Sequence, residues 1–276
     1  MVNPYNKTVH EISLSPREVQ GFVFWSRNYQ PFIDLNILQR IEKMRCPFLI
    51  HMSITGYPQS IDAATISPEK ATSQLKHLSQ HHQKRALTWR YDPIVISNLT
   101  PTNWHLDNFN QIAAQLAGIV DDVVVSFVQV YQKTRRNFDQ MENLHWCDPE
   151  AATKQALLIK LKEIAQSHKL NFSICGQPEL LAGNLRPSIC IDAARLSEFC
   201  TGHIHVKNRP HRKECGCVAS KDIGEYDTCP HGCIYCYAVQ DRTLAKKRFQ
   251  QHDPDSPFLF NPTDIYPQTP AQQRLF

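Results

Sequence analysis

Three stretches decide the fold: Phe48-Leu-Ile-His51, Ser67-Pro-Glu-Lys-Ala-Thr-Ser-Gln-Leu-Lys-His-Leu-Ser-Gln-His-His82, and Ala86-Leu-Thr-Trp-Arg90. The first and third are apolar runs of strand length. The middle one reads as a helix over Pro68 to His82, with Ser67 placed to cap its first turn and Pro68 inside that turn. Strand, helix and strand in that order make a βα unit, and repeating the unit builds a mostly parallel sheet.

The repetition continues on both sides. Toward the N-terminus lie a strand at Gly21 to Trp25 and a helical pattern at Leu35 to Met44. Toward the C-terminus follow a helix at Trp104 to Leu116, a strand at Val123 to Phe127, and a helix at Pro149 to His168 with Leu157, Leu158, Leu161, Ile164 and Ala165 on one side. A strand at Asn171 to Cys175, a helix at Ile191 to Phe199 and a weaker strand at His203 to Val206 complete the series. Five good units and a sixth fall short of the eight of a full barrel. The expected fold is therefore α/β, a partial or complete (β/α) barrel-like body over residues 1–206. A cysteine-rich segment follows at 207–241. Residues 242–276 form a basic, proline-containing arm whose Pro254 to Pro270 stretch lacks periodicity and reads as extended or disordered.

Polar side chains end each strand: Ser26, Arg27 and Asn28; His51, Ser53 and Thr55; Arg90 and Asp92; Gln129 and Tyr131; Cys175. Parallel α/β sheets bind ligands at the carboxyl ends of their strands, so a site is expected there. The formal charge of +4, from 30 basic and 26 acidic residues, permits nucleic acid without implying it. Residues 1–10 lack the apolar core of a secretory signal, and no long uncharged apolar run suggests a membrane span, so a cytoplasmic protein with no membrane partner is expected.

Ten cysteines in such a chain are expected to stay reduced, which turns attention to metal chemistry. Cys215, Cys217, Cys229, Cys233 and Cys236 crowd into one stretch, while Cys46, Cys147, Cys190 and Cys200 are most simply small apolar residues near the core. The C-x3-C-x2-C spacing of Cys229, Cys233 and Cys236 lets three thiolates converge on one inorganic core. Cys215 and Cys217 are candidates for a fourth ligand, a second centre or a redox pair. Zinc remains the alternative, with His231, Cys215 and Cys217 able to complete four ligands, although zinc ribbons usually pair two C-x2-C elements. A zinc-stabilised binding protein for nucleic acid is the corresponding second reading.

Cys229-x3-Cys233-x-Tyr235-Cys236, with an aromatic residue before the last cysteine, resembles the cluster loop of radical S-adenosylmethionine enzymes. That resemblance implies a [4Fe-4S] cluster with one open iron, which binds the amino and carboxylate groups of S-adenosylmethionine and cleaves it to a 5'-deoxyadenosyl radical. It also implies an electron donor such as a flavodoxin or ferredoxin, and a substrate that the sequence does not name. More of the chain is similar to the uncharacterised family called domain of unknown function 1848, noted for a C-terminal cysteine cluster of this kind. The matching stretches are Gly21 to Asn28, Trp89 to Ile94, Val125 to Phe127 with Tyr131 and Lys133, and Cys215 through Asp222 to Ala238. Two features depart from the radical enzymes: the cysteine loop lies behind the barrel strands instead of after the first, and no Gly-Gly-Glu-like element stands out. Members of the uncharacterised family also begin with a strand ending in a Ser-Arg-Arg-Thr-Asp-like motif, so a missing upstream piece is expected.

Arg90 and Asp92 flank Tyr91 and should share one side of their strand. They are candidate catalytic residues, Arg90 to clamp an anion and Asp92 to orient it or take a proton, or else an internal ion pair. Trp25 and Arg27, with Tyr235, are candidates for cofactor binding, the indole by stacking and Arg27 by meeting an anion. His51 reads more readily as a satisfied buried histidine than as a base. Asp222 and Tyr226 either tune the cluster or shape turns. Lys246, Lys247 and Arg248, with His211, Arg212 and Lys213, make short basic patches that would meet phosphates or simply face solvent.

Overall fold

The computed structural model describes residues 9, 11–200, 204, 206 and 215–260. Its strands are β1 (Phe22–Ser26), β2 (Phe48–Ser53), β3 (Leu87–Ile94), β4 (Ile96–Ser97), β5 (Asp122–Phe127), β6 (Trp146–Cys147) and β7 (Asn171–Ile174). Its α-helices are α1 (Gln30–Asp34), α2 (Ile37–Lys43), α3 (Pro68–His81), α4 (Thr102–Leu116), α5 (Gln132–Asp139), α6 (Ala151–Ser167), α7 (Ala193–Ser197) and α8 (Arg242–Gln250). The expected α3 forms as its sequence suggests: Ser67 Oγ accepts the Lys70 amide at 3.4 Å and Pro68 sits in the first turn.

β1, β2, β3, β5 and β7 form one parallel sheet in that order, with no reversal of direction along it. The fold is thus mixed α/β, a mostly parallel five-stranded sheet flanked by helices. Among the described residues β1 and β7 are its edges, and closure into a barrel is not seen. A lone parallel bridge, Ile174 to Pro187, is what the structure has of a sixth element after β7. The strand expected at His203 to Val206 lies largely outside the described residues.

One face of the sheet is apolar and carries the main core. Ile50, Met52, Trp89, Tyr91, Val123, Val125, Phe172 and Ile174 pack with Leu75 and Leu78 of α3, Phe109, Ile112 and Leu116 of α4, and Leu157, Leu158 and Leu161 of α6. Strand side chains alternate in direction, so the residues between these point to the other face. There stand His51, Thr88, Arg90 and Val124, and the C-terminal segment packs against that side through Cys190 and Cys217.

Three elements depart from expectation. The helix expected at Leu35 to Met44 forms as α2, but the short α1 ahead of it is unforeseen, and Asn36 with a left-handed φ of 51° separates the two. α5 is unforeseen, since Gln-Lys-Thr-Arg-Arg-Asn-Phe-Asp buries only Thr134 and Phe138. The basic stretch after Asp241 is helix α8, capped by Asp241 Oδ1 on the Thr243 and Leu244 amides, so the arm begins as ordered structure. The rest of the arm from 261 lies outside the described residues. Among those described, no helix is long and apolar enough to cross a membrane.

Candidate functional site

The loop carrying Cys229, Cys233 and Cys236 is clamped from two sides. On one side is the loop between β2 and α3: Ile234 donates to the Ile61 carbonyl at 3.0 Å, Ala64 to His231 at 2.9 Å, and Asp62 forms an antiparallel bridge with Cys233. On the other is α5, where Lys133 Nζ donates to the Cys236 carbonyl at 3.0 Å and Asn137 Nδ2 to that of Ile234 at 2.8 Å. These anchors follow the carboxyl ends of β2 and β5. The cysteine loop therefore sits at the edge of the sheet where parallel α/β folds place their sites.

Arg27, just past β1, ties the third strand end to the same loop. Its Nη1 meets Asp62 at 2.8 Å and Thr55 Oγ1 at 3.1 Å, and its Nη2 donates to the Tyr235 hydroxyl. Tyr235 in turn donates to Asp62 Oδ1 at 2.7 Å, and Thr55 donates to Oδ2 at 2.9 Å. Asp62, 2% exposed, is thus fully partnered. Burial works against the Arg27 cation, yet Tyr235, Asp62 and Cys233 hold its pKa above the ordinary value. Arg27 and Tyr235, both expected to bind a cofactor, here hold the cysteine loop in place.

Within the loop Cys233 is buried, Cys236 half-buried and Cys229 exposed. Burial raises the thiol pKa of both Cys229 and Cys233, and Cys233 faces Arg27, Asp62 and Tyr235. Among the described residues no three His, Cys, Asp or Glu side chains are gathered as around a bound metal. The donor set nonetheless suits a cluster: three thiols on one short loop, Cys229 close enough to Cys236 for their charges to interact.

Of the roles the sequence left open for Cys215 and Cys217, their packing favours one apart from this loop. They pack with Cys190, Cys175, Val124 and Ile191, in a cluster separate from the one containing Cys233 and Cys236. Cys190 Sγ lies 3.5 Å from Cys175 Sγ and accepts from Arg90 Nη1 at 3.0 Å, and Cys217 Sγ accepts the Ile191 amide at 3.3 Å. Cys190 is therefore no inert apolar residue. Hydrogen bonds from the thiols of Cys175 and Cys217 hold its pKa well below the ordinary thiol value, aided by Arg90.

Arg90 and Asp92 do share one side of β3 and form an ion pair of 2.6 Å, with Arg90 buried and Asp92 half-buried. His51, fully buried, directs Nε2 at the Cys190 carbonyl at 2.9 Å, which places its proton there and leaves Nδ1 without a partner. Burial, with Arg90 nearby, lowers its pKa to about 3. Trp25 stacks on that imidazole at 5.2 Å and is 48% exposed, so part of the indole is open to a ligand.

Among the remaining candidates, Asp222 accepts the Gly224 amide at Oδ1 in a turn. Tyr226 is exposed, and its carbonyl accepts from Arg248, whose guanidinium also lies 4.0 Å from the Phe260 ring. Lys246 and Lys247 lie on α8, whereas His211, Arg212 and Lys213 lie outside the described residues. Cys46 is in the core as expected, but Cys147, at the end of the short β6, is exposed. Of the residues that clamp the loop, Asp62 escaped the sequence reading because it belongs to no local motif, whereas Thr55 was visible as a strand-end polar group and Lys133 within a family-matching stretch. A family model, Domain of unknown function (DUF1848), matches residues 1–238. No curated protein matches the chain.

Proposed function

We propose, from the premise that this chain belongs to the DUF1848 family, that it is an iron-sulfur protein of the radical S-adenosylmethionine type. In this reading Cys229, Cys233 and Cys236 ligate a [4Fe-4S] cluster, and the body is a partial barrel whose strand ends hold cofactor and substrate. The observation that carries it is the position of the cysteine loop. Late in sequence, it is brought by Asp62, Arg27 and Lys133 to the carboxyl edge of the sheet, beside the strand ends. A loop serving only to brace the C-terminus has no need of that edge.

The chain's own residues then divide the work. Cys233 would leave its place beside Asp62 and Tyr235 to face the cluster, while their pairing with Arg27 keeps the loop from following. Arg27, held cationic next to Cys229 and Cys233, offsets the negative charge of the thiolates. The half-open Trp25 offers a face for an adenine. S-Adenosylmethionine, when bound and reduced through the cluster, supplies the radical chemistry. The electron would come from a small donor such as a flavodoxin or ferredoxin.

Anaerobic purification followed by iron and sulfide analysis tests this directly. We expect about four iron and four sulfide per chain, and a reduced-state spin-resonance signal that shifts when S-adenosylmethionine is added. Iron and sulfide should both vanish in the Cys229→Ala, Cys233→Ala, Cys236→Ala variant. No iron after reconstitution, or a signal indifferent to S-adenosylmethionine, overturns the cluster or the cofactor respectively.

A further inference from the structure

We propose that Cys175, Cys190, Cys215 and Cys217 form a second metal site, a mononuclear thiolate centre for zinc, distinct from the loop of Cys229, Cys233 and Cys236. Cys175 follows β7, and Cys190 follows the bridge at Pro187 that extends the sheet past β7. Cys215 and Cys217 arrive from the far side of the segment 207–214. The fold thus collects four thiols that the sequence scatters over two regions.

The spacing of the sulfurs selects the type of centre. The 3.5 Å between Cys175 and Cys190 is far too long for a disulfide, whose S–S bond is about 2.05 Å. Zinc–thiolate bonds of about 2.3 Å in a tetrahedron set neighbouring sulfurs about 3.8 Å apart. The thiols of a [4Fe-4S] cluster bind different irons and stand farther apart. The observed separation therefore fits one ion shared by both sulfurs.

The surroundings match a closed structural site. Thiolate charge needs donors around it, and the described residues offer the Arg90 guanidinium and the Ser188 hydroxyl to Cys190 and the Ile191 amide to Cys217. Of the four negative charges of the thiolates a dication offsets two, and Arg90, itself paired with Asp92, contributes a hydrogen bond to Cys190. Val124 and Ile191 pack against the group and keep water away. Among the described residues the four sulfurs do not converge on a single point, and binding would gather them, expelling the proton of each thiol that still carries one. Cys215, only half-buried, has the freedom to complete the shell. The ion would fasten the start of the cysteine-rich segment to the end of the sheet, ahead of the loop that the iron-sulfur reading uses.

The test measures zinc in the full chain, purified anaerobically from medium supplied with zinc and iron. We expect about one zinc per chain, kept in the Cys229→Ala, Cys233→Ala, Cys236→Ala variant and lost in Cys215→Ser, Cys217→Ser. Cobalt in place of zinc should give the strong thiolate-to-metal absorption of a tetrahedral site. Should the double variant fail to fold, Cys215→Ser alone, altering a half-buried side chain, should still lower zinc affinity at least tenfold in competition with a chelator. Zinc that follows the loop cysteines instead, iron in place of zinc on these four, or a Cys175–Cys190 disulfide forming as fast with zinc as without it would overturn the proposal. Iron missing from the loop while zinc stays on these four would refute the cluster reading and leave this one standing.

Discussion

Each of the two cysteine regions is backed by an Arg–Asp pair, yet the two pairs do different jobs. Arg27 and Asp62, 2.8 Å apart, join the end of β1 to the loop after β2, and through Tyr235 they reach the cysteine loop at the far end of the chain. Arg90 and Asp92, 2.6 Å apart, are near neighbours on β3. They need no folding to meet, and Arg90 directs its remaining nitrogen at Cys190. The first pair assembles a region, whereas the second tunes one that the sheet has already assembled.

Breaking the pairs should expose that difference, and it carries the largest effect expected here. Asp62→Ala strips a carboxylate that accepts from Arg27, Thr55 and Tyr235 and leaves a buried cation behind. The cost should be about 4 kcal/mol, as for one partner removed from a buried ion pair. Asp92→Ala, with a side chain 15% exposed, should cost about half as much. Urea unfolding of both variants measures this. The comparison fails if Asp92→Ala proves the more damaging or, on the proposed cluster reading, if Asp62→Ala takes up as much iron as the parent chain.

The next effect depends on acid. His105, beside the cysteine-loop region, lies edge-on to Tyr57, which packs edge-on against Tyr235, with centroids 6.0 Å apart in each pair. Its Nε2 faces the Val95 carbonyl at 3.0 Å and so carries the proton, leaving Nδ1 to accept from Tyr91, whose hydroxyl accepts from Asn108. Burial lowers its pKa to about 4, and a second proton on Nδ1 would confront the Tyr91 hydroxyl. The unfolded chain binds that proton below about pH 6.5 and the folded chain only below about pH 4. Stability contributed by neutral His105 is therefore complete above pH 6.5 and falls with decreasing pH by at most about 1.4 kcal/mol per unit, about 3 in all. Urea midpoints of His105→Gln between pH 7 and 4 should decline less steeply than those of the parent, and parallel curves would refute the assignment.

How much of this was visible in the sequence follows the same division. The five parallel strands were legible because their apolar residues are contiguous, and α3 because Ser67 and Pro68 mark its start. α5 was not, because almost nothing in it is apolar enough to show a period. The three loop cysteines form a local pattern that spacing alone reveals. Of the other four, Cys215 and Cys217 show a local C-x-C pattern that leaves their site open, and Cys190 reads as a core residue until the fold sets it against Cys175 and under Arg90. Asp62 is silent in the sequence for the same reason, since its partners Arg27 and Tyr235 are distant in the chain. Spacing registers what neighbours in sequence do together, and long-range partners enter only with the fold.

The smallest expected effect asks whether the cysteine loop is shaped by its own backbone or only by its clamps. Gly232, between His231 and Cys233, takes a φ of +68°, where a side chain is strained, and a Cβ there would lie 3.4 Å from that of Ala63, an ordinary contact. Gly232→Ala therefore meets no steric wall, only the backbone penalty of about 1 kcal/mol. Because the loop is held by Ile61, Asp62 and Asn137, that penalty should appear as a small drop in the urea midpoint and, on the proposed cluster reading, an unchanged iron content. If Gly232→Ala empties the loop of iron while Asp62→Ala does not, local backbone shape and not the long-range pair sets the cysteines. The division between the two regions would then rest on sequence after all.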